Sequence, residues 1–105
     1  MTNLEIANTI ISQFGKTFPM MVGMKSPVAI ESGVQFKIGI GNGWKATKGI
    51  NTVVITLNAM DTYDVRFVKV TNKYPMGKDI SSVEGVYNDQ LNSVFESATG
   101  LYTRF

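Results

Sequence analysis

Four β-rich runs follow one another in the middle of the chain, and no helical pattern separates them. The second run alternates most regularly, because Val34, Phe36 and Ile38 occupy every other position, as in a strand with one buried face. Turn residues separate the runs: Ser32-Gly33 lies between the first two, and the segment 58–61 predicts a hairpin between the last two. The four predicted strands are residues 28–31, 34–40, 52–57 and 63–70.

An amphipathic helical pattern precedes these strands. Thr2 and Glu5 fit a capping box, in which each side chain binds a backbone N–H that the first helical turn leaves unpaired. Gly15 is typical of the residue that follows the end of a helix. The pattern predicts a helix over residues 2–14, with an apolar face formed by Leu4, Ala7, Ile10, Ile11 and Phe14.

A second helical pattern follows the strands. Ser81 and Glu84 fit another capping box, and Gly100 stands where a left-handed residue commonly ends a helix. The apolar residues between them recur at helical spacing: Val83, Tyr87, Leu91, Val94, Phe95 and Ala98. The sequence therefore predicts an α+β fold in which an antiparallel four-stranded sheet is flanked by an N-terminal and a C-terminal helix, in the order α-β-β-β-β-α. The length predicts one domain over residues 1–105.

The residue types that most enzymes use are missing. The chain contains no cysteine and no histidine, so it lacks thiolate chemistry, the commonest general base and the commonest transition-metal ligand. Asp61 and Asp64 lie three residues apart and could contribute to a magnesium site. However, Asp61 suits a turn and Asp64 suits the solvated face of a strand. We therefore expect a non-enzymatic protein with no cofactor and no metal site.

The basic side chains are concentrated in the middle of the chain. Residues 25–78 carry eight basic and three acidic side chains, whereas residues 79–105 carry one basic and four acidic side chains. The glycine-flanked loop 41–49 holds the only tryptophan, and we expect its basic and aromatic residues to form a binding surface with cations of neighbouring strands. The candidate partner-binding residues are Trp44, Lys45, Lys48, Lys25, Lys37 and Arg66.

Three interpretations of this cluster remain open from the sequence. An aromatic ring with nearby cations suits single-stranded nucleic acid, because bases stack on the ring and phosphates pair with the cations. The same residue types dominate protein–protein hot spots. Alternatively, Trp44 packs on the edge of the core with its N–H bonded locally.

Several short runs stand in the second half of the chain. They are GIN at 49–51, ITLN at 55–58, DTYDV at 61–65, EGVY at 84–87, DQL at 89–91, FE at 95–96 and TGLYT at 99–103. Together they resemble a family of small phage and prophage proteins, over residues 49–103. The N-terminal half departs from the family, because Val22-Gly23-Met24-Lys25 stands where the family has Thr-Gly-Ala-Lys. The resemblance implies a phage or mobile-element origin and assigns no catalytic residue.

These observations lead to three hypotheses about function. The first is a small non-enzymatic phage accessory protein that binds a host protein or nucleoprotein, with inhibition of a host defence factor as one form of that role. The second is a single-stranded nucleic-acid-binding protein of phage replication, and the third is a minor structural protein of the virion. The sequence shows no signal peptide and no apolar run of the about 20 residues that a membrane span needs. We therefore expect a protein of the host cytoplasm that contacts no membrane, and self-association into a homo-oligomer is compatible with the sequence.

Overall fold

The computed structural model describes residues 2–15, 24–38, 49–75 and 77–100. Within these residues, five antiparallel strands form one sheet in sequence order, and both helices lie on the same face of it. The fold is therefore α+β, as the sequence predicts. The elements are α1 (Asn3–Phe14), β1 (Lys25–Ile30), β2 (Gly33–Lys37), β3 (Thr52–Leu57), β4 (Tyr63–Lys69), β5 (Lys78–Val86), a single-turn 3-10 helix (Asn88–Gln90) and α2 (Leu91–Thr99).

The prediction of four strands and of a helix that begins at Ser81 is wrong. Residues 78–86 form the fifth strand, which pairs with β4 along its whole length. The last helix begins only at Leu91. Just before it, the side chain of Gln90 accepts a hydrogen bond from the Tyr87 backbone N–H at 3.1 Å. Pairing with β4 therefore prevails over the local capping signal of Ser81 and Glu84.

The start of α1 agrees with the prediction. The Thr2 hydroxyl accepts a hydrogen bond from the Glu5 backbone N–H at 3.2 Å, and the Glu5 carboxylate accepts one from the Thr2 backbone N–H at 3.4 Å. The predicted apolar face is only partly correct, because Leu4 is 62% exposed and Ile6 is buried in its place. The face that packs on the sheet consists of Ile6, Ala7, Ile10 and Phe14.

One hydrophobic core lies between the sheet and the two helices. Alternate residues of β2, β3 and β4 point into it, so the other half of each strand faces away from the helices. Phe95 of α2 joins the layers, because its ring lies 5.9 Å from that of Phe14 in α1 and 6.2 Å from that of Phe67 in β4. The opposite side, which we call the open face, presents exposed Gln35, Lys37 and Arg66.

Candidate partner-binding surfaces

The lysines of the described residues gather at one end of the sheet. In this antiparallel sheet β1, β3 and β5 begin at the end where β2 and β4 finish. Four lysines occupy these strand ends, and a fifth lies in the connection between β4 and β5. We call this group the lysine-rich end: Lys25, Lys37, Lys69, Lys73 and Lys78.

Acidic residues occupy the opposite end of the sheet. Glu31 lies in the turn between β1 and β2, Asp61 lies between β3 and β4, and Glu84 lies near the end of β5. The start of α1 lies at this end too, because the Ser32 backbone N–H donates to the Asn3 side chain at 3.0 Å. The separation of charge gives the described fold a basic and an acidic end, although the net charge of the chain is only +2.

Lys25 and Lys37 are direct cross-strand partners. They face each other where β1 begins and β2 ends, and like charges in this relation destabilise a strand pair. Within the described residues the one salt bridge is Arg66–Asp79, so no described carboxylate neutralises either lysine. Lys25 and Pro27 also suit an edge strand, where they discourage pairing with other chains. That role does not account for Lys37, which lies on the interior strand β2.

Lys69 and Lys78 form a second cross-strand pair at the same end. Lys78 and Lys73 both lie beside the Tyr74 ring, with their ammonium nitrogens 5.3 Å and 5.6 Å from its centroid. The ring attracts both cations through its negative face. The Tyr74 ring, in the connection between β4 and β5, therefore lies within cation–π range of two ammonium groups.

The predicted binding loop is attached to this lysine-rich end. Trp44, Lys45 and Lys48 lie outside the described residues. The residues on either side of that segment are Ile38, whose backbone N–H donates to the Asn51 carbonyl at 3.0 Å, and Gly49, which lies beside the Lys69 side chain. Both attachment points therefore lie at the lysine-rich end, next to Lys37 and Lys69.

Arg66 occupies a different environment from the lysines. It lies in the middle of β4 on the open face, and its guanidinium is 2.7 Å from the Asp79 carboxylate. Both side chains are more than half exposed, so the pair contributes at most about 1 kcal/mol to stability. Of the predicted site residues that the structure describes, Lys25 and Lys37 lie together, whereas Arg66 is already paired.

The two aspartates considered as metal ligands have local structural roles. Asp61 adopts a positive φ of 60° in the connection between β3 and β4. The Asp64 carboxylate accepts hydrogen bonds from the Asn58 side chain at 3.0 Å and from the Gly85 backbone N–H at 3.3 Å. In the described ranges, no three acidic side chains come together in a way that could hold a metal ion.

The sequence interpretation missed Lys69, Lys73 and Lys78 as members of the surface. The signal was present in the basic excess of residues 25–78. This excess identifies a surface only when the strand order is known, because lysines far apart in the sequence then lie at the same end of an antiparallel sheet.

Comparisons with protein-family models, with curated proteins and with solved structures find no match to this chain. The resemblance to phage and prophage proteins therefore remains a prediction. Neither of the α-helices that the structure describes has the length and apolarity needed to cross a bilayer.

Proposed function

We propose that this chain is a non-enzymatic phage accessory protein that binds nucleic acid, free or within a host nucleoprotein, through its lysine-rich end. The observation that carries the proposal is the Lys25–Lys37 pair with Lys69, Lys73 and Lys78 at the same end of the sheet. The setting of phage and host cytoplasm comes from the sequence resemblance, and the binding chemistry comes from the placement of these lysines.

A polyanion fits the dimensions of this end. Neighbouring strands lie about 4.8 Å apart, so the ends of five strands span about 19 Å. A row of ammonium groups over that distance can contact several successive phosphates of one nucleic-acid strand. Binding also relieves the repulsion between Lys25 and Lys37, since phosphate oxygens then lie near both ammonium groups.

The type of basic residue at this end favours nucleic acid over an acidic protein as the partner. All five basic residues of this end are lysines, which act as point charges toward phosphates, whereas protein hot spots are enriched in arginine, tyrosine and tryptophan. The one described arginine, Arg66, is held by Asp79. This end therefore suits a partner recognised mainly through its charge.

We expect the double variant Lys25→Gln/Lys37→Gln to bind a labelled single-stranded oligonucleotide about tenfold more weakly than the unaltered chain. Each phosphate contact contributes about 0.7 to the slope of log affinity against log salt concentration for a single strand. The unaltered chain should therefore show a slope near −3.5 if all five lysines make contact, and the double variant should lose about 1.4 of it. Fluorescence anisotropy at several salt concentrations measures both quantities.

The matched control compares Lys37→Gln with Arg66→Gln. Both residues are exposed on the open face, and both substitutions remove one positive charge. Only Lys37→Gln should weaken binding and reduce the salt slope, because Asp79 already neutralises Arg66. If both variants lost the same affinity for the oligonucleotide, the effect would come from the net charge of the protein alone. That result would contradict the proposed surface. If the chain bound polyglutamate but not the oligonucleotide, its partner would be an acidic protein and not nucleic acid, and the proposal would be wrong.

A further inference from the structure

A groove lies between the edge strand β5 and helix α2. Its volume is about 360 Å³, and its lining combines apolar and short polar side chains. Val83 is the most conspicuous of them, since it is 36% exposed although it pairs with the buried Val65 of β4. The lining residues are Ser81, Val83, Ser93, Val94, Ser97 and Ala98.

The strand that borders this groove is at the edge of the sheet. Among the described residues β5 pairs only with β4, so one side of its backbone has no strand partner there. Its register shifts twice, between Asp79 and Ser81 and between Val83 and Val86. Bulges interrupt regular pairing, so the stretch from Ser81 to Val83 is the part that can continue a regular ladder.

We propose that a second copy of this chain occupies the groove, by antiparallel pairing of the two β5 strands about a two-fold axis at Ser82. In this register Ser81 of each copy lies opposite Val83 of the other. Both residues point to the side where α2 lies, because their partners in β4 are the core residues Phe67 and Val65. The pairing therefore brings the two exposed valines and the two α2 helices to one side of a continuous sheet.

Charge complementarity favours a second copy over a partner of unrelated sequence. β5 begins with Lys78 at the basic end and carries Glu84 near the acidic end. In this register Lys78 of each copy lies opposite Val86 of the other, two positions from Glu84. The neighbouring Asp79 is neutralised by Arg66. The two charge-separated sheets then lie side by side with their basic ends in opposite directions, which is the attractive arrangement of two dipoles.

The same surface patch serves both copies, as a two-fold symmetric interface requires. The regular ladder is short, so hydrogen bonds between the strands contribute only part of the affinity. Burial of Val83, Val94 and Ala98 contributes the rest. The dimer is therefore expected to form in the micromolar range rather than at nanomolar concentrations.

We expect Val83→Glu to weaken dimerisation at least tenfold, since it places a charge in the centre of the apolar contact. Sedimentation equilibrium from about 5 µM to about 1 mM protein measures the dissociation constant. Val28→Glu is the matched control, because Val28 is a valine that is 54% exposed on the other edge strand, β1. That variant should dimerise like the unaltered chain.

A charge exchange tests the antiparallel register independently. Lys78→Glu and Glu84→Lys should each weaken self-association, because each brings like charges within two positions of each other across the axis. A mixture of the two single variants should regain association as a heterodimer, since one Lys–Glu pair then keeps its original order and the other is restored with its two charges exchanged. Failure of the mixture to associate would overturn the register.

Other outcomes of the mass measurement are equally decisive. An unaltered chain that stays monomeric up to about 1 mM would overturn the proposal and leave the groove to a different protein. Equal weakening by Val28→Glu and Val83→Glu would also overturn it, because the contact would not involve β5. Sedimentation equilibrium measures only the mass of the protein species, so its result does not depend on whether the lysine-rich end binds nucleic acid.

Discussion

Phe95→Ala is expected to lower the free energy of unfolding by about 3–5 kcal/mol, the usual cost of removing a buried phenylalanine. The ring is 1% exposed and contacts Phe14 of α1 and Phe67 of β4. Its removal leaves a cavity where both helices and the sheet meet. A protein of this size is stable by only about 5–15 kcal/mol, so this one substitution removes a large part of the total.

Urea unfolding followed by circular dichroism measures this loss. The matched control is Leu4→Ala, which also shortens an apolar side chain on a helix. Leu4 is 62% exposed, so its truncation should change stability by less than about 0.5 kcal/mol. A large effect at Leu4 with a small effect at Phe95 would place the core on the other side of the helices and contradict the described packing.

The contrast between these two residues shows what sequence patterns can and cannot decide. The capping box of Thr2 and Glu5 is a local interaction, so the helix start is predicted correctly. The spacing of apolar residues does not decide which of Leu4 and Ile6, two positions apart, belongs to the buried face. Both are compatible with the pattern, and in the structure, where α1 packs against β1 and β2, Ile6 is buried and Leu4 is exposed.

The sequence of strand β5 resembles that of a helix for a definite physical reason. A regular strand repeats its side-chain direction every two residues, but β5 contains two bulges that each add a residue. The strand therefore shows no regular alternation, and Val83, together with Tyr87 just after the strand, fits the helical spacing of Leu91, Val94 and Phe95. Hydrogen bonding with β4 is a contact between distant parts of the chain, and local periodicity carries no information about it.

The binding surface was predictable only in part for the same reason. The sequence names Lys25 and Lys37 as cations of strands that are expected to pack beside the loop 41–49, and the structure makes them cross-strand partners. Lys69 and Lys78 join them only through strand order. The Lys78–Glu84 complementarity of β5 likewise appears only once residues 78–86 are known to be an edge strand.

Gly33→Ala is the second substitution with a large expected effect, about 3 kcal/mol of lost stability, at the upper end of the usual cost of overpacking. The sequence marks Ser32-Gly33 as a turn, but in the structure the turn is formed by Glu31 and Ser32, and Gly33 is the first residue of β2. A methyl group here would overlap the Ile55 carbonyl oxygen and lie 2.9 Å from the Thr56 Cα. These are backbone atoms of the central strand, so they cannot rotate away.

Gly85→Ala separates this steric cost from the cost of backbone conformation. Gly85 has a φ of +68°, and an added Cβ meets no atom within 4 Å, so the expected loss is the about 1–2 kcal/mol of a left-handed residue. At Gly33 the added methyl group must push β2 from β3 and weaken the 2.7 Å hydrogen bond from the Leu57 N–H to the Ser32 carbonyl. Hydrogen exchange at the Leu57 amide should therefore accelerate more in Gly33→Ala than global stability alone accounts for, and in Gly85→Ala it should follow global stability. Unaltered exchange at Leu57 in a Gly33→Ala protein of normal stability would show that the two strands do not approach so closely at this point.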